Sequence, residues 1–352
     1  MSLFYVIISE SNNIQPFKNF IIMQMLNLPR KIKTVLHHPS IIISLIYRKK
    51  VSEIRCDIRS KVNKIEIYET MKFISHKKQN FPYYINSSNK PNLNRLCSLE
   101  DWNNEEIRQI FSELHNPPVI IHRKAWEFAM GILAMKRFNK LNDKCTAIGI
   151  GTGSEPIPFY LANKVNHVYA TDLYGESEEW NKEAPSTFLN NPNKYAPFPY
   201  KEDALTVLRM DGTKLEFPSE TFDIAFSFSS IEHFGGKDHS GSLKSMKEIE
   251  RVLKPGGIAV IATEYIINDK DHPEFFNKKT IYTDLIDKLD SLKLVEPLDL
   301  RITTKTLDTV LDYFEVLKRD RDQNFKKTHP HILLRLGSIL FTSVMLVFQK
   351  KI

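Results

Sequence analysis

Short runs of apolar residues recur through the second half of the chain, separated by turn residues or by stretches of helical periodicity. Five such runs lie at residues 145–150, 165–172, 205–210, 222–229 and 257–265, and a sixth lies at 338–348. Runs that are apolar throughout are typical of strands buried on both faces, and their alternation with helices indicates a parallel sheet covered on both sides. We therefore predict an α/β fold.

Two amphipathic helices are predicted ahead of the first strand. In residues 98–114, Ser98 precedes the acidic residues Glu100 and Asp101, and apolar side chains follow at helical spacing, which predicts a helix capped at Ser98. In residues 122–140, apolar residues from Trp126 to Phe138 form one stripe, which predicts a second helix.

The front of the chain differs from the rest in charge and in pattern. Residues 1–100 carry a net charge of +10, whereas residues 101–352 carry −3. No fold can be assigned to most of this front segment, so we divide the chain into a basic, mainly helical or irregular extension at 1–97 and one domain at 98–352. Phosphate binding needs clustered lysine and arginine, so the near-neutral domain argues against a nucleic-acid partner. The basic extension is either a solvated surface or an arm that docks on an anionic membrane, and the sequence leaves the oligomeric state open.

Cysteine usage and hydropathy favour a cytoplasmic protein. Cys56, Cys97 and Cys145 are odd in number and lack a C-x-x-C spacing, which is typical of reduced thiols. No apolar run reaches the length of a membrane span, and residues 1–10 have no basic segment of the kind that begins a secretion signal. We expect a cytoplasmic location, with peripheral membrane association left open by the basic extension.

A glycine-rich turn, Gly149-Ile150-Gly151-Thr152-Gly153-Ser154-Glu155, follows the first predicted strand. Glycines at such a turn let the backbone approach a ligand closely. The dinucleotide fingerprint G-x-G-x-x-G would require a glycine at position 154, where this chain has Ser154. Glu155 would also place a negative charge at the helix start that a pyrophosphate needs. These features disfavour a nicotinamide dinucleotide and favour a ligand with an ammonium and a sulfonium.

The second predicted strand ends at Asp172, 23 residues after Gly149. A carboxylate at this place can accept hydrogen bonds from both ribose hydroxyls of a nucleotide. Asp172 is therefore our candidate ribose ligand.

Further motifs follow in order along the chain. Residues 209–212 (Arg-Met-Asp-Gly) come after the third strand, and residues 222–234 (FDIAFSFSSIEHF) contain the fourth. An amphipathic helix at 243–253 then leads into residues 251–257 (RVLKPGG), where proline and glycine end the helix before the fifth strand.

Over residues 120–265 the chain resembles the class I S-adenosylmethionine-dependent methyltransferases, in the broad group that includes small-molecule methylases. The resemblance implies a Rossmann-like, mostly parallel, seven-stranded sheet and S-adenosylmethionine as the cofactor, with no metal expected. The cofactor-binding residues it implies are Gly149, Gly151, Gly153, Asp172, Asp211, Gly212 and Ser229, with Asp211 facing the adenine amino group.

Candidate catalytic residues lie near the carboxyl ends of the strands. His233 is placed to act as a general base on a hydroxyl acceptor, or else to hold its loop by hydrogen bonds. Glu232 and Glu264 are weaker candidates for the base. Arg123 and His122 either reach the methionine carboxylate of the cofactor or form a solvated helix end.

Two aromatic-rich segments, at 174–200 and 265–281, are candidates for the acceptor pocket. We expect methyl transfer to a small molecule, such as a hydroxyl of a sugar or another metabolite. Two alternatives stay open: a non-catalytic nucleotide-binding module that docks on a membrane or glycan-assembly complex, and a nicotinamide-dependent oxidoreductase.

Overall fold

The computed structural model describes residues 39–80, 90–114, 120–176, 180, 182–235 and 238–352. The chain divides into two compact units, residues 1–65 and 66–352. In the first unit the described residues belong to the start of one long helix, which continues to residue 80. Our interpretations of residues 1–38 lie outside the described part of the chain.

The described helices are mostly short, and several are single turns. In chain order they are α1 Pro39–Asn80, α2 Glu105–Glu113, α3 Arg123–Arg137, α4 Ile157–Ala162, α5 Thr187–Asn190, α6 Ser240–Val252, α7 Lys278–Thr280, α8 Thr304–Leu307, α9 Tyr313–Lys318 and α10 Gln323–Thr328. Five 3₁₀ turns lie at Leu99–Asn103, Pro192–Tyr195, Glu202–Ala204, Ile231–His233 and Ile286–Lys288, and a π-helical turn lies at Ile281–Leu285.

The described strands form a single sheet. They are β1 Arg95–Leu96, β2 Thr146–Ile150, β3 His167–Asp172, β4 Leu205–Arg209, β5 Phe222–Phe228, β6 Leu253–Ile266, β7 Leu292–Leu294, β8 Leu311–Asp312, β9 Leu334–Leu336 and β10 Ile339–Lys350. Neighbouring strands run in the order β4-β3-β2-β5-β6-β10-β9-β8. All pairs from β4 to β6 are parallel, which confirms the predicted parallel α/β core.

β10 inserts antiparallel beside β6 and pairs with it from Phe341↔Ile266 to Gln349↔Ile258. Its other edge is divided among β9, β1 and β7, each of which covers two or three residues. The described sheet therefore has ten strands rather than the seven that we predicted, because short pieces share the edge of β10. β1 also places Arg95 and Leu96 in the sheet, although we assigned them to the extension.

Side chains on the two faces of the sheet enter separate hydrophobic clusters. One face packs against α2, α3 and α4, with Ala147, Phe226 and Val260 among its strand residues. The other packs against α6 and the π-helical turn, with Ile148 and Ile261 among its strand residues. Covering both faces leaves the strand ends as the place where loops can build a site.

The helix predicted from Ser98 begins later than expected. Residues Leu99–Asn103 form a 3₁₀ turn, and Asn104 adopts an extended backbone that interrupts the helix. Asn104 then caps α2, because its side chain accepts a hydrogen bond from the Ile107 N–H at 3.2 Å. Ser98 instead donates to Glu100, so the predicted cap at Ser98 was wrong.

Candidate functional site

A cavity of about 740 Å³ lies at the carboxyl ends of β2, β3, β4 and β5. The order of the sheet reverses at β2, and ligands of open α/β sheets bind at such a switch point. The volume is typical of a small-molecule pocket. The lining comes from α3, from the loops after these four strands, and from the first of the two aromatic-rich segments.

Two of the three glycines of the predicted turn form the floor of this cavity. Gly151 and Gly153 have φ of +65° and +48°, in the left-handed region that favours glycine. A Cβ on Gly153 would lie 2.5 Å from the backbone oxygen of Glu183, so no larger residue fits there without movement. Gly149 does not line the cavity: it lies inside β2, where a Cβ would collide with the Phe226 ring at 2.5 Å.

Asp172 joins the end of β3 to the glycine turn. Its Oδ2 accepts the Gly153 N–H at 2.8 Å, and its Oδ1 accepts the Leu173 N–H at 2.7 Å. Burial raises the pKa of this carboxyl, and the two N–H donors oppose that shift. A carboxylate has about four acceptor positions, so Asp172 retains capacity for a ligand while it holds the loop.

Asp211 and Gly212 line the cavity after β4. Asp211 Oδ1 accepts hydrogen bonds from the Thr213 N–H and hydroxyl, both at 2.8 Å. A Cβ on Gly212 would lie 2.6 Å from the Phe234 ring, so glycine at this position lets the loop after β4 pack directly against that ring.

Ser229 lines the cavity at the end of β5 with a φ of +50°. Its hydroxyl donates to Glu127 Oε1 at 2.9 Å, beneath the cavity wall. The next residue, Ser230, donates to the Gly151 oxygen at 2.6 Å and fixes the glycine turn to the β5 loop. Sequence analysis did not single out Glu127, which belongs to no motif, or Ser230, although Ser230 lies within the segment 222–234.

An ion pair between Lys124 and Glu155 lies in the wall of the cavity. Lys124 Nζ is 2.7 Å from Glu155 Oε1 and donates to the Phe228 oxygen at 2.5 Å. Burial raises the pKa of Glu155 to about 7, although Lys124 opposes the shift. Glu155 Oε2 is buried and has no partner among the described residues. The wall therefore holds a buried carboxylate oxygen whose hydrogen-bonding capacity is unused among the described residues.

His233 lines the cavity and contacts both aromatic-rich segments. Its ring centroid is 4.8 Å from that of Trp180, and its Nδ1 is 3.0 Å from Glu274 Oε2. Burial lowers the pKa of His233, and Glu274 opposes that shift. A neutral imidazole held in this way can accept a proton, and the same contacts also fix the loop, so both predicted roles remain.

Arg123 and His122 do not line the cavity, and both are half-buried rather than at a fully solvated helix end. Arg123 forms a buried ion pair with Glu264 at 2.7 Å. The His122 ring stacks on His331 at 4.0 Å between centroids, and burial lowers its pKa to about 3. Glu232 and Glu264 also lie outside the lining of the cavity and are buried behind it.

Residues 148–261 match a protein-family model described as a methyltransferase domain. This range begins in β2 and ends in β6, so it spans every loop that builds the cavity except the α3 wall. Over residues 148–261 the chain therefore carries a methyltransferase domain. The predicted family and fold class are thereby confirmed, and the glycine turn, Asp172 and Asp211 all fall inside the matched methyltransferase region.

A curated relative of the methyltransferase domain is the sterol 4-C-methyltransferase strm-1 of Caenorhabditis elegans, which is 34% identical over 80 residues. The match covers 23% of this chain, and the chain spans about a fifth of the length of that relative, 22%.

Solved methyltransferase structures are also similar. One, from Galdieria sulphuraria, is described as a sarcosine dimethylglycine methyltransferase; it is 16% identical, with a TM-score of 0.42, over 70% of this chain and 99% of that one. Another is the Haemonchus contortus phosphoethanolamine N-methyltransferase 2 in complex with phosphomonomethylethanolamine and S-adenosylhomocysteine, at 16% identity and a TM-score of 0.42, over 72% of this chain and 59% of that one.

Proposed function

We propose that the cavity binds S-adenosylmethionine and that the domain transfers its methyl group to a small-molecule acceptor. The observation that carries this proposal is the convergence of Gly151, Asp172 and Asp211 on one cavity, from the ends of three different strands. Together with the family match, this convergence supports a nucleoside-bearing cofactor at the switch point of the sheet.

The charge of the lining supports a cationic ligand. Among the described lining residues, five carboxylates face one lysine, Lys124; the five are Glu155, Asp172, Glu176, Glu183 and Asp211. A pyrophosphate would be repelled by this surface, whereas a sulfonium and an ammonium would be attracted. The antiparallel β10 also departs from the parallel order of dinucleotide-binding sheets. Both observations favour S-adenosylmethionine over a nicotinamide cofactor.

The lining residues suggest how the cofactor would be held. Asp172 would accept hydrogen bonds from the ribose hydroxyls, and Asp211 would face the adenine amino group. Glu155 would receive the ammonium through Oε2, the buried oxygen that has no partner among the described residues. The cofactor supplies an activated methyl group, so the main task of the protein is to align donor and acceptor.

We propose a hydroxylated acceptor, such as a sugar or another metabolite. Aromatic rings of Tyr174, Trp180 and Phe234 line the cavity and could pack on the carbon skeleton of such a molecule. His233, beside Trp180, is the candidate base for its hydroxyl proton. The C. elegans relative is a sterol 4-C-methyltransferase, so sterols are a second class of acceptor to test.

Isothermal titration of the full chain with S-adenosylmethionine tests the cofactor proposal. We expect micromolar binding that weakens at least tenfold in Gly153→Ala, because the added methyl group meets backbone and the φ is positive. Gly256→Ala is the matched control: its φ is +74°, its nearest neighbour is 3.7 Å away, and it lies far from the lining. Equal affinities in the two variants, or no binding by the unmodified chain, would contradict the proposal.

Turnover is tested separately with a methyl-labelled cofactor and a panel of sugars, other hydroxylated metabolites and sterols. Labelled product is expected with at least one class. Cofactor binding without transfer to any of them would instead favour the non-catalytic binding module.

A further inference from the structure

A three-residue cluster of potential metal ligands lies behind the wall of the cavity. Glu232 and His233 follow β5, and Glu264 lies in the carboxyl-terminal part of β6. One ligand atom from each residue can be chosen so that all three atoms lie within 4.8 Å of one another. Glu232 and Glu264 are 2% and 4% exposed, so the two carboxylates are shielded from water.

Each of these glutamates has one oxygen with a partner and one without. Glu232 Oε1 accepts the Glu264 N–H at 3.4 Å, and Glu264 Oε1 pairs with Arg123 at 2.7 Å. The second oxygen of each, Oε2, is buried and has no partner among the described residues. A buried carboxylate oxygen without a partner is costly, so two of them in one cluster point to a missing cation.

The surrounding charges do not neutralise the cluster. Within the network that links α3, β5 and β6, the described carboxylates are Glu127, Glu155, Glu232 and Glu264, and the described cations are Arg123 and Lys124. Four acids against two bases leave an excess of negative charge in a buried region. A divalent cation would balance that excess.

We propose that Glu232, His233 and Glu264 bind a divalent transition-metal ion. Two carboxylates with one imidazole suit ions such as Mn²⁺ and Zn²⁺, whereas Mg²⁺ and Ca²⁺ prefer oxygen ligands alone. A metal-binding histidine commonly donates its second ring N–H to a carboxylate, and Glu274 lies 3.0 Å from His233 Nδ1. This contact leaves His233 Nε2 for the ion.

The ion gives His233 a third role. An imidazole that coordinates a metal through Nε2, and whose Nδ1 faces Glu274, cannot also accept a proton from the acceptor. Because His233 lines the cavity, the ion would lie at the cavity wall rather than in the cofactor-binding floor. The metal ligands differ from the proposed cofactor contacts, so cofactor binding does not depend on the ion. A metal-bound His233, however, is excluded as the base of the proposed methyl transfer.

Titration of the chelator-treated full chain with Mn²⁺, followed by the paramagnetic signal of free Mn²⁺, tests the proposal; Zn²⁺ content is measured by elemental analysis. We expect about one ion per chain, with at least tenfold weaker binding in Glu232→Gln and Glu264→Gln. Asp284→Asn is the matched control, because Asp284 also pairs with a histidine, His239 at 3.1 Å, outside the cluster. The control should bind as the unmodified chain does.

A proton shared between the two glutamates would also satisfy their free oxygens. In that case no ion binds, or the Glu232 and Asp284 variants bind equally, and the proposal is overturned. His233→Ala removes a partly exposed ligand, and circular dichroism of all variants separates lost binding from lost folding. Cofactor binding is measured in a separate titration in the presence of chelator. Because metal binding and cofactor binding are measured independently, failure of the metal site and failure of the proposed function are distinguishable.

Discussion

At the residue scale, Asp172 and Glu155 show how position sets the chemistry of two carboxylates in one cavity. Asp172 receives two backbone N–H donors, which favour its ionised form, whereas Glu155 is buried with one lysine and one unpaired oxygen. With a pKa of about 7, Glu155 is near half-protonated at neutral pH in the free protein. It is the residue whose protonation a cationic ligand should change.

We predict that S-adenosylmethionine binding at pH 7 releases protons. An ammonium near Glu155 stabilises the carboxylate and lowers its pKa, so the proton bound to part of the population is lost. The release should fade at pH 9, where Glu155 is already ionised. Titration calorimetry in two buffers of different ionisation enthalpy measures the number of protons.

Glu155→Gln should abolish this release, whereas Glu176→Gln, at another lining carboxylate, should retain it. Proton release that is the same in both variants would show that Glu155 does not receive the ammonium.

Sequence alone identified the residues that belong to a motif, and it missed their partners. Gly151, Gly153 and Asp172 follow from spacing along the chain, because the turn and the strand are local. The contacts of Ser229 with Glu127 and of His233 with Glu274 span 102 and 41 residues, so only the folded chain brings them together. Gly149 belongs to the motif but does not contact the cavity. Its lack of a side chain instead allows β2 to pack against the Phe226 ring.

At the scale of elements, Glu127 anchors α3 to the sheet. Its side chain is 0% exposed and accepts hydrogen bonds from Ser229 at the end of β5 and from Ser343 in β10. Arg123 and Lys124, in the first turn of the same helix, lie 3.4 Å from its two oxygens. One buried carboxylate therefore joins a helix, two strands and two cations.

We predict that Glu127→Ala lowers the free energy of unfolding by about 3–5 kcal/mol, because it leaves the Ser229 and Ser343 hydroxyls without their charged acceptor and removes one of the two carboxylates that pair with each of Arg123 and Lys124. Urea unfolding followed by fluorescence measures the change. Glu106→Ala is the control, since Glu106 forms an exposed ion pair with Arg137 and should cost no more than about 1 kcal/mol. Similar losses in the two variants would contradict the anchoring role.

The long strands were predictable and the short ones were not. β3 and β5 begin or end within two residues of the predicted bounds, because a buried strand is a continuous apolar run. β1, β8 and β9 have two or three residues each, too few to show a period. β6 starts at Leu253 and so includes Pro255 and Gly256, which we interpreted as the end of a helix only.

At the scale of the whole molecule, the cavity joins parts of the chain that are distant in sequence. Its lining extends from Lys124 to Gly235 and uses the loops after four strands. A ligand that contacts all of them binds only when the sheet is assembled. Cofactor binding should therefore stabilise the entire methyltransferase domain rather than one loop.

We predict that S-adenosylhomocysteine at 100 times its Kd stabilises the folded state by about 2.7 kcal/mol. For a domain of this size that energy corresponds to a rise in Tm of roughly 5–10 °C, measurable by scanning calorimetry. NAD⁺ at the same concentration should leave Tm unchanged. A larger rise with NAD⁺ would favour the oxidoreductase alternative.

The position of β10 carries a consequence for how the protein is made. During synthesis, β2 to β6 emerge from the ribosome before β10, the antiparallel neighbour of β6. β10 begins about 70 residues after β6 ends, and several surface segments lie between them. Until β10 emerges, the backbone N–H and C=O groups along the edge of β6 have no strand to pair with. An unpaired apolar edge of this kind promotes wrong pairing between nascent chains. Damage to residues 339–350 should therefore reduce the yield of folded protein even though none of them lines the cavity.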